Sequence, residues 1–176
     1  RSFKKELMQN KKLIVMGGPN GAGKTTAAEM LVPQVDDIRE FVNADKIAAG
    51  LSPYNVESQS IAAGRLMLKR ISDLLTKDKN FIFESTLSTK GFVKTLKQAR
   101  NQGYHTSLIY IWLPDPDFAK SRVANRVKKG GHNIPDKDIE RRYHRSIENL
   151  TTLYWDCFDQ IKIYDGSQTP ADLVAI

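Results

Sequence analysis

The sequence predicts one α/β domain, a five-stranded parallel sheet with helices on both faces. Three observations predict it. First, Gly18-Pro19-Asn20-Gly21-Ala22-Gly23-Lys24-Thr25 fits the phosphate-loop pattern G-x-x-x-x-G-K-[ST] at all four fixed positions. Second, that loop lies between a short apolar run, Leu13-Ile14-Val15-Met16, and a helical stretch from Thr25 to Val32. Third, apolar runs of strand length alternate with helix-length patterns to the end of the chain, as in successive βα units. At 176 residues the chain has the size of one such domain with a sizeable core.

The elements follow in order. Residues 1–11 are polar and basic and are expected as a helical lead-in; the chain begins at Arg1 rather than Met, so an upstream piece is expected. The first strand spans about 12–17, and the helix after the loop ends near Pro33. Phe41-Val42-Asn43-Ala44 reads as the second strand, ending on Asp45. A turn through Gly50 and Pro53 leads into a helix over about 55–77, with Ile61, Leu68, Ile71 and Leu75 as its core stripe. Phe81-Ile82-Phe83 is the third strand. A helix over 90–102 closes on Gly103. Tyr104 to Leu113 is the fourth strand, stopped by Pro114. A helix from Pro116 to Lys129 ends at Gly130-Gly131, and a longer one runs from Pro135 to about 157. Gln160 to Tyr164 is the fifth strand, and a short last helix follows Pro170. No repeat or linker interrupts the series, so residues 1–176 read as a single domain.

Composition narrows the partners. The chain is 40% hydrophobic and 27% charged, ordinary for a globular protein. Its net charge of +7 favours anionic ligands: nucleotides, sugar phosphates or nucleic acid. Cys157, the only cysteine, sits between aromatic residues as a buried thiol rather than a nucleophile, and no internal disulfide can form. No apolar run approaches membrane-spanning length, and the basic start precedes a run too short for a signal peptide. A cytoplasmic protein without a membrane partner is expected.

In a parallel sheet ligands collect at the carboxyl ends of the strands. Glycines in the loop let backbone N–H groups close around a phosphate, and the helix N-terminus adds partial positive charge. The cofactor-binding candidates are therefore Gly18, Pro19, Asn20, Gly21, Ala22, Gly23, Lys24, Thr25 and Thr26. Lys24, expected at an open mouth, reaches the β/γ-phosphates, and the Thr25 hydroxyl holds Mg²⁺. The spacing does not make the dinucleotide pattern G-x-G-x-x-G. Asp45, after strand two, can orient an acceptor hydroxyl and take its proton, or it can cap the helix that begins at Lys46. Glu84, at the end of strand three, can hold Mg²⁺ or bind the acceptor. Ser85, Thr86 and Ser88 form a hydroxyl-rich turn suited to sugar or phosphate oxygens, or to helix capping. Arg122 and Arg126 share a helix face; with Arg141, Arg142 and Arg145 beyond the glycine loop they outline a lid over about 122–145. A solvated basic helix pair, with Asp138 and Glu148 as partners, is the alternative. His132 reads as a loop or capping histidine. Nothing has zinc-ligand spacing.

Four motifs together resemble the zeta-toxin family, in its compact branch often labelled predicted ABC-type ATPases. They are the loop from Gly17 to Thr26, Phe41-Val42-Asn43-Ala44-Asp45, Phe83-Glu84-Ser85-Thr86-Leu87-Ser88, and Gly130-Gly131-His132-Asn133-Ile134-Pro135 with Arg141-Arg142-Tyr143. The resemblance runs from Leu13 to Tyr164. It implies a nucleoside-kinase-like P-loop domain with strand order 2-3-1-4-5. It also implies a kinase using ATP and Mg²⁺ on the 3′-hydroxyl of the amino sugar in UDP-N-acetylglucosamine, blocked by an antitoxin partner. By the same resemblance Lys24 and Thr25 bind phosphate and Mg²⁺, Asp45 is the acceptor-side base, and Glu84 with Thr86 meets the acceptor. Arg122 or Arg126, with Arg142, supplies the lid charge. A nucleotide, nucleoside or nucleic-acid end kinase is the same-class alternative, with nucleic acid not favoured as a partner. A nucleotide-dependent ATPase or switch without a small-molecule acceptor is the other. No LSGGQ-like signature is present, which argues against a transporter motor.

Overall fold

A computed structural model describes residues 11–35, 38–168 and 171–176. The expected lead-in at 1–10 and Pro170 fall outside the described residues. Strand β1 (Lys11–Gly17) leads through the glycine loop into α1 (Lys24–Leu31), which closes with a 3₁₀ turn at Val32–Gln34. Then come β2 (Glu40–Val42), α2 (Ala44–Leu51), α3 (Ser60–Thr76) and β3 (Phe81–Ser85). The second half is α4 (Phe92–Asn101), β4 (Tyr104–Trp112), α5 (Pro116–Lys128), α6 (Asp136–Asn149), β5 (Gln160–Asp165) and β6 (Asp172–Ala175).

The strands form one sheet in the order β2-β3-β1-β4-β5-β6. The first five are parallel, in the order 2-3-1-4-5 that the resemblance implies. The sixth is an addition: β6 runs antiparallel along β5, where a short helix was expected. All four of its residues are exposed. Edge pairing of the backbone creates this strand, so it carries no buried alternation for a sequence to display.

Side-chain alternation along β1 builds two cores. Leu13 and Val15 face one layer with Phe81, Phe83, Leu108 and Tyr110, covered by Met67, Ile71 and Leu74 of α3 and Leu96 and Ala99 of α4. Met16 faces the other with Ile82 and Ile111, under Ala28 of α1, Val123 of α5 and Ile139 and Tyr143 of α6. Helix α6 then crosses the sheet: its π-helical continuation Leu150–Tyr154 puts Leu150 and Tyr154 into the first core. Burying Phe81 or Phe83 stabilises by about 1.5–3 kcal/mol each.

Two boundaries differ from expectation. Strand β2 stops at Val42, because the Asn43 side chain accepts from the Lys46 N–H and starts α2 there. Ala44 and Asp45 thus belong to a helix, and the turn expected through Gly50 is its last turn. On α3 the buried row is Ala63, Met67, Ile71, Leu74 and Leu75, whereas Ile61 and Leu68 are 71% and 47% exposed. The two rows share Ile71, Leu75 and a helical period, and small Ala63 hides the start of the true row from a search for bulky residues.

Candidate active site

The strand ends build a cleft at one edge of the sheet. Gly18 turns the chain out of β1 at φ 138°, and a Cβ there would sit 2.3 Å from the Ile111 carbonyl oxygen. Gly21, at φ 79°, packs so closely on α5 that a Cβ would lie 2.8 Å from the Ala119 carbonyl oxygen. Only glycine fits such positions. The loop therefore lies flat beneath the N-terminus of α1, with Gly23 as its N-cap residue. Thr26 is exposed on the first turn.

Lys24 is not at an open mouth. It is 5% exposed, and its Nζ donates to the Pro19 carbonyl oxygen at 2.8 Å. Burial pulls its pKa down and the Arg126 charge adds to that, while Glu84 and Asp45 oppose it. The Ala22-to-Gly23 loop and the strand ends wrap the ammonium that an open loop would leave in solvent. Glu84 is the hub beside it. Its Oε1 lies 3.8 Å from Lys24 Nζ. Its Oε2 accepts from Thr25 Oγ1 at 2.6 Å and from Asn43 Nδ2 at 2.6 Å. Asn43 thus caps α2 with its Oδ1 and holds Glu84 with its Nδ2, a double role that sequence reasoning missed.

Thr25 and Glu84 offer oxygen donors side by side. That is the set Mg²⁺ takes, one or two protein oxygens with the rest from phosphates and water. Among the described residues no group of three or more His, Cys, Asp or Glu side chains gathers as a metal site, so a metal here depends on a phosphate ligand as well.

Across from this hub, a cleft of about 570 Å³ is lined by Asn20, Lys24, Asp45, Glu84, Thr86 and Arg142 among others. Ala48, Ala63, Met67 and Phe92 give it an apolar wall. Asp45 stands in the first turn of α2 with its side chain 54% exposed. It is not the cap of that helix, since Asn43 is. The hydroxyl turn after β3 bonds mostly within itself: Thr86 and Ser88 share a bond of 2.8 Å, and Ser85 Oγ accepts from the Leu87 N–H at 3.0 Å. Leu87 at its centre is fully buried at φ 55°, a costly backbone state for leucine, and Asn149 Nδ2 donates to its carbonyl oxygen at 2.8 Å.

The lid arginines separate into different places. Arg142 lines the cleft. Arg126 lies behind Lys24: its Nη2 donates to the His132 carbonyl oxygen at 3.2 Å, and its Nε is buried with no partner among the described residues. Arg122 stays out of the cleft; it stacks on Phe118 and donates to the Gly166 carbonyl oxygen at 2.5 Å. The Gly166 N–H in turn donates to the Trp112 carbonyl oxygen at 2.9 Å, and a Cβ on Gly166 would come within 3.3 Å of the Ala22 carbonyl oxygen. Arg141 pairs with Asp138 at 2.7 Å on the exposed side of α6, and Arg145 is exposed. His132, read from sequence as a loop residue, reaches the cleft and places Nε2 3.8 Å from Asp45 Oδ2.

Comparison with known proteins identifies the family and the fold. A family model described as "Zeta toxin" matches residues 2–171. A Haemophilus influenzae protein described as "Uncharacterized protein" is 31% identical over 137 residues, covering 78% of this chain and 95% of that one. Among solved structures, a chain from the PezAT chromosomal toxin–antitoxin system of Streptococcus pneumoniae superimposes with a TM-score of 0.70 at 21% identity. The match covers 99% of this chain and 77% of that one. Shikimate kinase from Bacteroides thetaiotaomicron matches with a TM-score of 0.55 at 14% identity, over 91% and 89% of the two chains. Among the described residues no helix is long and apolar enough to cross a membrane.

Proposed function

The chain belongs to the zeta-toxin family, and on that premise we propose that it is an ATP-dependent kinase that phosphorylates a sugar hydroxyl. The observation that carries the reading is the shared cleft: the phosphate-loop Lys24, the acid Asp45 and Glu84, which accepts from Thr25, line one space. Residues 1–176 form one kinase domain in this reading, with a lid over about 122–145. The favoured acceptor is UDP-N-acetylglucosamine, as the family resemblance implies. The PezAT toxin–antitoxin system, source of the similar structure, adds an antitoxin protein as a partner to seek. ATP and a UDP-sugar place the reaction in the cytoplasm.

The residues divide the work. Backbone N–H groups from Gly18 to Thr26 cradle the β- and γ-phosphates at the start of α1. Lys24, freed from Pro19, meets the transferred group. Thr25 Oγ1 and Glu84 would hold Mg²⁺, which would supply charge neutralisation at the phosphates. Asp45 accepts the acceptor hydroxyl's proton as the new O–P bond forms, and the bond from the γ-phosphorus to the bridging oxygen breaks with its electron pair leaving on ADP. Arg126 and Arg142 offset the charge that develops between the two oxygens. Thr86 and Ser88 bind the acceptor's other hydroxyls.

Phosphorus NMR of ATP with a panel of acceptors tests this. UDP-N-acetylglucosamine, free amino sugars, nucleosides and 5′- or 3′-hydroxyl oligonucleotides are incubated in turn. The expected result is a new phosphomonoester signal matched by ADP with the UDP-sugar. A signal only with nucleosides or oligonucleotides would move the reading to an end kinase. ADP and inorganic phosphate with no phosphorylated acceptor would identify a nucleotide-dependent switch instead.

A further inference from the structure

The 130–135 loop touches both ends of the site through one residue. His132 is 79% buried by its surroundings, with a side-chain exposure of 21%, and its Nε2 lies 3.8 Å from Asp45 Oδ2. Its backbone carbonyl oxygen accepts from Arg126 Nη2 at 3.2 Å. Arg126 in turn adds its charge to the surroundings of Lys24. The chain is pressed against Arg126 just before His132: a Cβ on Gly131 would sit 2.6 Å from Arg126 Cγ, and the Gly131 N–H donates to the Arg126 carbonyl oxygen at 3.0 Å. On the far side Ile134 is buried at 6% exposure. Pinned on both sides, the loop fixes the backbone from which the imidazole projects. Asp45, by contrast, is half-exposed on the first turn of a helix, and among the described residues no hydrogen bond fixes its carboxylate.

We propose that His132 is the positioning residue for Asp45: it donates from Nε2 to one carboxylate oxygen and leaves the other aimed at the acceptor hydroxyl. This deepens the kinase reading and rests on it, because it assigns His132 no contact with the transferred group. The logic is that of a base oriented by a third side chain. The step balances. The acceptor O–H proton goes to the free Asp45 oxygen as the O–P bond forms, the bridging P–O bond breaks toward ADP, and Asp45 then releases the proton to solvent. In this proposal a rotation of the half-exposed carboxylate closes the 3.8 Å gap to hydrogen-bond length, against a loop backbone anchored on Arg126.

Kinetics and spectroscopy test this together. With UDP-N-acetylglucosamine as acceptor, His132→Ala should lower kcat by roughly 10–100-fold, the scale for outer partners that orient ligand groups at metal sites, and leave the KM for ATP unchanged. His132→Gln, which keeps an N–H donor near the Nε2 position, should restore most of that loss. The double variant His132→Ala/Asp45→Asn should be no slower than Asp45→Asn alone, since His132 acts through Asp45. Additive losses, or a kcat for His132→Ala equal to wild type, would overturn the assignment while leaving the base role of Asp45 intact. An active Asp45→Asn enzyme would instead bring down the base role and the positioning role together. A second arm needs no acceptor. Nitrogen NMR of histidine-labelled protein should show the His132 Nε2-protonated tautomer in wild type and a changed tautomer balance in Asp45→Ala. Identical His132 spectra in the two proteins would overturn the proposal whatever the acceptor proves to be.

Discussion

Lys24 and Asp45 are the residues on which single substitutions speak most clearly. Lys24 is held in a desolvated place that depresses its pKa, so its charge is kept for binding rather than for stability. Lys24→Met, which preserves the stem, should abolish nucleotide turnover without lowering the melting temperature. An active variant would remove Lys24 from the site, and calorimetry of ATP binding with a thermal melt checks both halves. Asp45→Asn separates catalysis from structure even more cleanly, because Asn43 already caps α2. Turnover should fall by roughly 10²–10⁴, while ATP affinity and melting temperature hold. Wild-type turnover would move acceptor activation to Glu84. Sequence made both residues visible. Lys24 is fixed by the loop pattern, and Asp45 follows a strand-like run. It hid what surrounds them. Burial of Lys24 arises in part from residues distant in sequence, Glu84 among them, and Asn43 and His132 carry no spacing signature; the family motif around each was the one signal that could have drawn attention to them.

At the scale of elements, helices α5 and α6 and the loop between them carry the lid arginines, but to unequal effect. Arg142 lines the cleft, Arg126 sits behind Lys24, and Arg122 is tied away to Gly166. Arg126→Ala and Arg142→Ala should lower kcat and kcat/KM together, the mark of an interaction made only in the transition state. Arg122→Ala should spare kcat more than either. Steady-state kinetics on the three variants decides it, and equal losses would put all three guanidiniums on the transferred group. The existence of α3, α5 and α6 was legible because they are long and periodic. Their details were less so. The α3 stripe was displaced because Ala63 and Met67 outrank exposed Ile61 and Leu68 in contact but not in bulk. Strand β6 was read as a helix because nothing in it is buried.

Across the whole molecule, three buried phenols join sheet to covering layers. Tyr110 Oη shares a 2.7 Å bond with Ser146 Oγ, Tyr154 Oη donates to the Thr89 carbonyl oxygen at 2.6 Å, and Tyr104 Oη donates to the Lys79 carbonyl oxygen at 3.0 Å. Burial pushes each up to about 12. A phenol raised in the folded chain gives its full stabilisation below the unfolded value of about 10 and loses it as pH climbs through 12. Denaturant midpoints should therefore hold up to about pH 10 and fall between about pH 10 and 12, and a flat profile there would show that these hydroxyls titrate freely. Cys157, raised by burial and 1% exposed, should resist maleimide in the native protein and react only on unfolding. The tie that runs from Trp112 through Gly166 to Arg122 has an optical consequence. The chain has two tryptophans, and Trp155 is 50% exposed. Replacing Trp155 with Phe leaves one indole, that of Trp112, which packs against the first core while its backbone carbonyl holds Gly166 beside the Ala22 carbonyl of the phosphate loop. Its emission should then shift when MgATP enters, turning the protein into a label-free fluorescent gauge of its own occupancy.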